Sequence, residues 1–215
     1  SSVDKSVQIW DIQTGHTSVT YTRHRDVVYR AAWSPDGEYV ASGSYDNAVR
    51  VWEAMSGKHL FTYEGHSALI FALGWSPDGQ LLASGSYDTT VQVWNAFDGR
   101  TITTYGGHTG QVQSLSWSPD GTRIVSCGGS SVARIWDATS GTDIFTYHGH
   151  ETPPTLQPVD PALRPLLGQI APANGQLYHS TSDHPMELSV VAWSPDGQWI
   201  ASGSTYDVMR VWQAN

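Results

Sequence analysis

The sequence predicts an all-β fold assembled from repeated four-stranded antiparallel units, and three observations carry that prediction. First, the segments SVQIW (6–10), AVRVW (48–52), TVQVW (90–94) and VARIW (132–136) end in Trp at strict steps of 42 residues. A fifth, VMRVW, ends at Trp212, one period plus 34 residues after Trp136. Second, a WSPDG series begins at Trp33, Trp75, Trp117 and Trp193, so the fourth repeat carries a 34-residue insertion and the others stay in register. Third, apolar residues within a repeat alternate or bunch, the pattern of strands with at least one covered face.

Each element of the unit has a local cause. LLASGS and TVQVW are short runs of β-branched and small apolar residues, which suit a pleated, half-buried surface. SPDG supplies Pro and Gly for one tight turn, and GSYDN supplies Gly and Asx chemistry for the next. KHLFTYEGH and RTITTYGGH each add a strand that ends in a Gly-His corner. Four strands per unit of about forty residues follow, with almost no helix.

These residues resemble the WD-repeat (Trp-Asp repeat) β-propeller family, whose Gly-His…Trp-Asp signature recurs at this period. The resemblance covers nearly the whole chain apart from the insertion. The terminal dipeptides read Trp10-Asp11, Trp52-Glu53, Trp94-Asn95, Trp136-Asp137 and Trp212-Gln213. The near-identity of neighbouring repeats is similar to bacterial tandem WD-repeat arrays, many of them fused to kinase or ATPase domains. The implied architecture is a β-propeller of four-stranded antiparallel blades, three complete, with partial blades at both ends. Strands c and d of one blade fall within residues 1–23, and repeats run at about 24–65, 66–107, 108–149 and 184–215. A Pro-rich insertion occupies about 151–185 and holds seven of the eleven prolines.

Composition narrows the function. Charged residues make up 14% of the chain, its formal charge is −9, and the eleven Lys and Arg are scattered. Nucleic-acid binding needs a basic stripe, so neither nucleic acid nor an anionic membrane is an expected partner. Cys127, the single cysteine, reads as a small apolar filler in a strand. A cytoplasmic location is the default expectation. His148, His150, His179 and His184 bracket the insertion, but their spacings match no compact zinc motif, and neither a metal nor a cofactor is expected.

His, Ser and Asp recur together in a way that imitates a hydrolase. The resemblance implies a structural role instead: a buried chain from the Gly-His corner through a strand-b Ser and a turn Asp to the strand-c Trp. The sets are His24, Ser42, Asp46 and Trp52, then His66, Ser84, Asp88 and Trp94. A buried Trp N–H and a buried His both need partners, and a catalytic triad would not recur in every blade. The third set keeps His108, Ser126 and Trp136 but has Ser130 at the Asp position. The fourth has Ser202 and Trp212, with His184 preferred over His150 as its histidine, Tyr206 at the Asp position and Asp207 one residue late. The third and fourth turns are expected to be less rigid.

The resemblance also implies a binding face, the one bearing the d–a and b–c connections. Its positions in the first complete repeat are Val27, Tyr29 and Tyr45, and in the second Leu69, Phe71 and Tyr87. Apolar and aromatic side chains there suit a protein interface. The next two repeats offer Gln111, Gln113 and Gly129, then Glu187, Ser189 and Thr205, so half the rim is aromatic and half polar. The insertion belongs to the same face.

The expected function is therefore a non-enzymatic scaffold for a protein or peptide. The alternatives are a sensory module of a larger kinase or ATPase protein, and an enzyme with a site in the central channel. Residue 1 aligns with Gly43, inside a blade, so the chain reads as part of a longer propeller, the preferred reading, or as one of two chains that join ends into a ring, and its open blade edges favour self-association.

Overall fold

A computed structural model describes residues 2–148, 187–204 and 209–214. Among them, seventeen strands form five antiparallel sheets in chain order. Strands β1 (Val7–Trp10) and β2 (Thr17–Tyr21) pair as a two-stranded sheet. Four-stranded sheets follow: β3 (Val28–Trp33), β4 (Tyr39–Ser44), β5 (Val49–Glu53) and β6 (His59–Tyr63); then β7 (Ile70–Trp75), β8 (Leu81–Ser86), β9 (Val91–Asn95) and β10 (Thr101–Tyr105). The third is β11 (Val112–Trp117), β12 (Arg123–Gly128), β13 (Ser130–Asp137) and β14 (Asp143–Tyr147). A three-stranded sheet, β15 (Leu188–Trp193), β16 (Trp199–Ser204) and β17 (Met209–Gln213), completes the described chain. This is the expected arrangement of three complete blades flanked by partial ones.

The core lies between blades, not within them. Each hydrophobic cluster draws on two neighbouring sheets, as when Val49, Val51 and Tyr63 of one blade meet Ile70, Leu82 and Trp94 of the next. Sheets stack face to face at close range, and small residues set that distance. A Cβ at Gly43 would sit 2.6 Å from Ile70, and one at Gly85 would sit 2.6 Å from Val112. Cys127 occupies the corresponding place in the third blade, buried against the Leu188 carbonyl at 3.6 Å. Burial pushes its thiol pKa upward, so the side chain is an inert filler, as expected.

A repeated aromatic pair crosses every one of these interfaces. The last-strand tyrosine of one blade stacks on the third-strand tryptophan of the next: Tyr21 on Trp52 at 4.7 Å, Tyr63 on Trp94 at 4.2 Å, Tyr105 on Trp136 at 4.5 Å and Tyr147 on Trp212 at 4.4 Å. The rings lie within 5° of parallel in all four. The phenol hydroxyl then reaches the outer strand of that next blade. Tyr21 meets His59 Nδ1 at 2.9 Å, Tyr63 meets Thr101 Oγ1 at 2.9 Å and donates to Gln92, and Tyr105 donates to Asp143. Apolar area, ring stacking and a satisfied hydroxyl thus act at one place.

Where no sheet among the described residues covers a blade, the equivalent residues are exposed. Trp10 is 58% and Trp33 52% exposed, whereas Trp52, Trp94 and Trp136 are fully buried and Trp75 and Trp117 are 8% exposed.

The recurring His, Ser and Asp form a full buried chain in the first two complete blades. In the second complete blade Trp94 Nε1 donates to Ser84 Oγ at 3.1 Å, Ser84 Oγ lies 2.9 Å from His66 Nε2, and His66 Nδ1 lies 2.8 Å from Asp88. The Asp88 carboxylate only accepts, so His66 Nδ1 carries a proton and donates to it. Burial alone would raise the Asp88 pKa, but hydrogen bonds from His66 and Thr90 outweigh it and hold the carboxylate well below its ordinary range. The first complete blade repeats the chain through His24, Ser42, Asp46 and Trp52, with Arg50 added beside Asp46 at 2.6 Å. In the third, His108 meets Ser126 at 2.7 Å and Trp136 donates to Ser126 at 3.0 Å, but His108 Nδ1 has no hydrogen-bond partner among the described residues. Ser130, at the Asp position, begins an eight-residue strand instead of shaping an Asx turn. In the fourth, Trp212 donates to Ser202 at 3.1 Å, while His150, His184, Tyr206 and Asp207 lie outside the described residues.

Two outcomes follow from this packing. Tyr63→Leu is expected to cost about 2–4 kcal/mol by losing both stack and hydroxyl, and Tyr63→Phe about 1–2 kcal/mol, read by urea unfolding. His108 also makes stability depend on pH. Its pKa is pushed down to about 4, first by burial and then by the Arg134 guanidinium, against 6.5 in the open chain. The unfolded chain therefore binds the extra proton between those values, and stability falls as pH drops from 6.5 towards 4, by roughly 3 kcal/mol at most. His108→Gln should flatten that segment of the stability–pH curve.

Candidate functional site

The connections between β2 and β3, and between β4 and β5, meet at one end of their blade because turn residues tie them together. Tyr45 N donates to the Val27 carbonyl at 2.9 Å, and Arg25 N donates to Asp46 at 2.8 Å. The next blade repeats this with Tyr87 N on the Leu69 carbonyl at 2.9 Å and Ser67 N on Asp88 at 3.0 Å. The third keeps the backbone bond, Gly129 N to the Gln111 carbonyl at 2.8 Å. The aspartates that cap the buried histidines thus also hold the loops of this face.

First strands of successive blades stand side by side, so their corresponding residues converge. Tyr29, Phe71, Gln113 and Ser189, one per blade and each four residues before its WSPDG tryptophan, line a single cavity of about 370 Å³ with Arg30, Tyr87 and Gln111. Its aromatic wall is a connected cluster. Tyr29 packs edge-on to Phe71 at 5.1 Å and lies near-parallel to Tyr45 at 5.9 Å; Phe71 also meets Tyr45 at 5.9 Å and Tyr87 at 6.1 Å. Packing accounts for part of these contacts, since Tyr45 and Phe71 are half-buried. It does not absorb Tyr29, 43% exposed, or Tyr87, 56% exposed.

Four of the six residues expected on this face therefore share one cluster: Tyr29, Tyr45, Phe71 and Tyr87. Val27 and Leu69 stand apart, half-buried, with their carbonyls engaged by the turns and their side chains off the cavity wall. Across the opening, Gln113 Nε2 donates to Glu187 at 3.2 Å, so the expected polar half is also present, while Thr205 and the insertion lie outside the described residues.

Arg30 was not anticipated. Its Nε donates to the Phe71 carbonyl at 2.8 Å and its guanidinium lies 5.3 Å from the centre of the Tyr29 ring. A signal for it exists in the repeat, because the matching positions hold Ala72, Ser114 and Val190. Among the described residues no group of three or more His, Cys, Asp or Glu is placed to hold a metal ion.

Comparison with known proteins agrees with this geometry. The family model for the WD domain, G-beta repeat, matches residues 14–53, 57–95, 99–137 and 175–213. Each of the middle two matches starts before the last strand of one blade and ends at the third strand of the next, so a sequence repeat straddles two blades. A 42-residue stretch is 45% identical to coronin-7 of Mus musculus, covering 20% of this chain and 5% of that protein. A 39-residue stretch is 44% identical to the F-box-like/WD repeat-containing protein TBL1X of Mus musculus, covering 18% and 7%. Another, of 41 residues, is 42% identical to the WD40 repeat-containing protein HOS15 of Arabidopsis thaliana, covering 19% and 7%. The aligned part is thus about one repeat, a small fraction of each relative's length. Four matched repeats spanning most of the sequence, on sheets that stack as blades, make this chain a member of the WD40 repeat family.

Proposed function

We propose that this chain is a non-enzymatic scaffold that seats a protein or peptide partner on the aromatic half of its rim, at the mouth formed by Tyr29, Phe71 and Tyr87. Proteins of the WD40 family serve generally as interaction scaffolds. The observation that carries the narrower reading is the exposure of Tyr29 and Tyr87 above a cavity, on a cluster whose other rings are already packed. Rigid aromatic side chains of this kind anchor interfaces at low entropic cost. The His–Ser–Asp sets are engaged in holding Trp and loop donors, which leaves them no role as a catalytic site.

The test is selection of peptides from a random display library on the immobilised chain. Tyr29→Ser combined with Tyr87→Ser should weaken the selected peptides at least about tenfold with an unchanged melting temperature. Ile144→Ser, on the outer strand β14, should leave binding intact. Equal binding by both variants would remove the rim from the account.

Self-association is a second proposed contact, favoured by the exposure of Trp10 and Trp33. A blade of a second copy would bury them as their counterparts are buried. Light scattering should show concentration-dependent mass that drops in the Trp10→Ser, Trp33→Ser double variant; an unchanged monomer mass in both would refute it.

A further inference from the structure

We infer that the mouth of this cavity recognises a carboxylate carried by an extended peptide beside an apolar or aromatic residue, and that Arg30 is the group that reads it. The inference rests on the reading of this rim as a binding surface and adds the chemistry of what it binds. Arg30 is set in place by two contacts, the Nε bond to the Phe71 carbonyl and the Tyr29 ring beneath it. With Nε occupied, the outer edge of the guanidinium, Nη1 and Nη2, remains. Neither nitrogen has a hydrogen-bond or ion-pair partner among the described residues. A planar fork held in this way matches the two oxygens of a carboxylate.

The remaining lining specifies the rest of the ligand. Gln111, Gln113 and Ser189 are neutral: the two glutamines offer amide groups, Gln113 Nε2 keeping one N–H beyond its bond to Glu187, while Ser189 donates to the Gly203 carbonyl at 3.4 Å, and Phe71 and Tyr87 present apolar faces. A cavity of about 370 Å³ holds one or two side chains.

Charge decides between anions. One guanidinium balances one negative charge. A phosphate would bring nearly two into a site with a single cation among the described residues, on a rim that also carries the Gln113-bound Glu187 and on a chain of formal charge −9. A basic side chain would meet Arg30 head-on. The repeat pattern points the same way, because the arginine stands where the other blades carry Ala72, Ser114 and Val190. Nothing in the buried framework requires it, since the contact with the following blade closes without it at Ala72 and Ser114.

The experiment uses the full chain and fluorescence polarisation with labelled decapeptides in four matched versions. Each carries Phe or Leu next to Asp, Asn, Lys or phosphoserine. The Asp peptide should bind about tenfold or more tightly than the Asn peptide, with the Lys and phosphoserine versions weaker than Asp. Arg30→Gln, a change at an exposed side chain, should bring Asp and Asn peptides to equal affinity at an unchanged melting temperature; Arg30→Lys should recover only part of the preference. Equal binding of Asp and Asn peptides by the unaltered chain, or an Asp preference that survives Arg30→Gln, overturns the carboxylate assignment alone. Tightest binding of the phosphoserine or Lys version overturns it in favour of that chemistry. If none of the four binds, the carboxylate assignment is overturned with no charge preference to replace it. The library selection then decides whether the rim itself binds.

Discussion

A four-stranded blade is too thin to hide a tryptophan from water, and this protein resolves that constraint by lending each blade a tyrosine from its neighbour. The Tyr21–Trp52, Tyr63–Trp94, Tyr105–Trp136 and Tyr147–Trp212 stacks share one geometry because the same local problem recurs at each interface. Much else is arranged around it. The indole N–H beneath each stack is satisfied by Ser42, Ser84, Ser126 or Ser202, and the described histidines bind three of those serines. Asp46 and Asp88 then join the buried chain to the loops above. The polar network is therefore the inner lining of a hydrophobic contact, fully satisfied where all members are present.

The fold was legible because every blade must meet these demands separately. Tryptophans at a 42-residue step, the SPDG turns and the buried serines each recur, so a local rule repeated several times outweighs noise in any one copy. The network residues His24, Ser42, Asp46 and their counterparts were readable for the same reason. The inter-blade tyrosines were not singled out, although they recur as regularly. An aromatic residue in an outer strand fits so many environments that its sequence does not disclose which sheet it covers.

The rim was only partly legible. Tyr29, Phe71 and Tyr87 come together as their register implies, but Val27 and Leu69 do not line the cavity, and their carbonyls are engaged by the turns. Arg30 escaped because repetition was the guide, and a residue that breaks the repeat carries no periodic signal. Its position becomes meaningful only once the first strands are seen side by side. Framework positions are constrained by the neighbouring blade, whereas cavity-lining positions meet solvent and are free to diverge. The aromatic half, the glutamines and the Arg30 guanidinium are all products of that freedom.

The offset between sequence repeat and blade has a consequence for how such a chain lengthens. A 42-residue segment such as 57–98 begins ahead of Tyr63 and runs past Trp94, so it contains both partners of one inter-blade stack. Tandem duplication of that segment inserts a new seam already furnished with its ring pair and serine. Each end of the insert meets a neighbour through residues of the same kind as those it displaced. Growth by whole units therefore needs no compensating mutation in the flanks, and a duplicated copy is at once free to accumulate changes on its first strand.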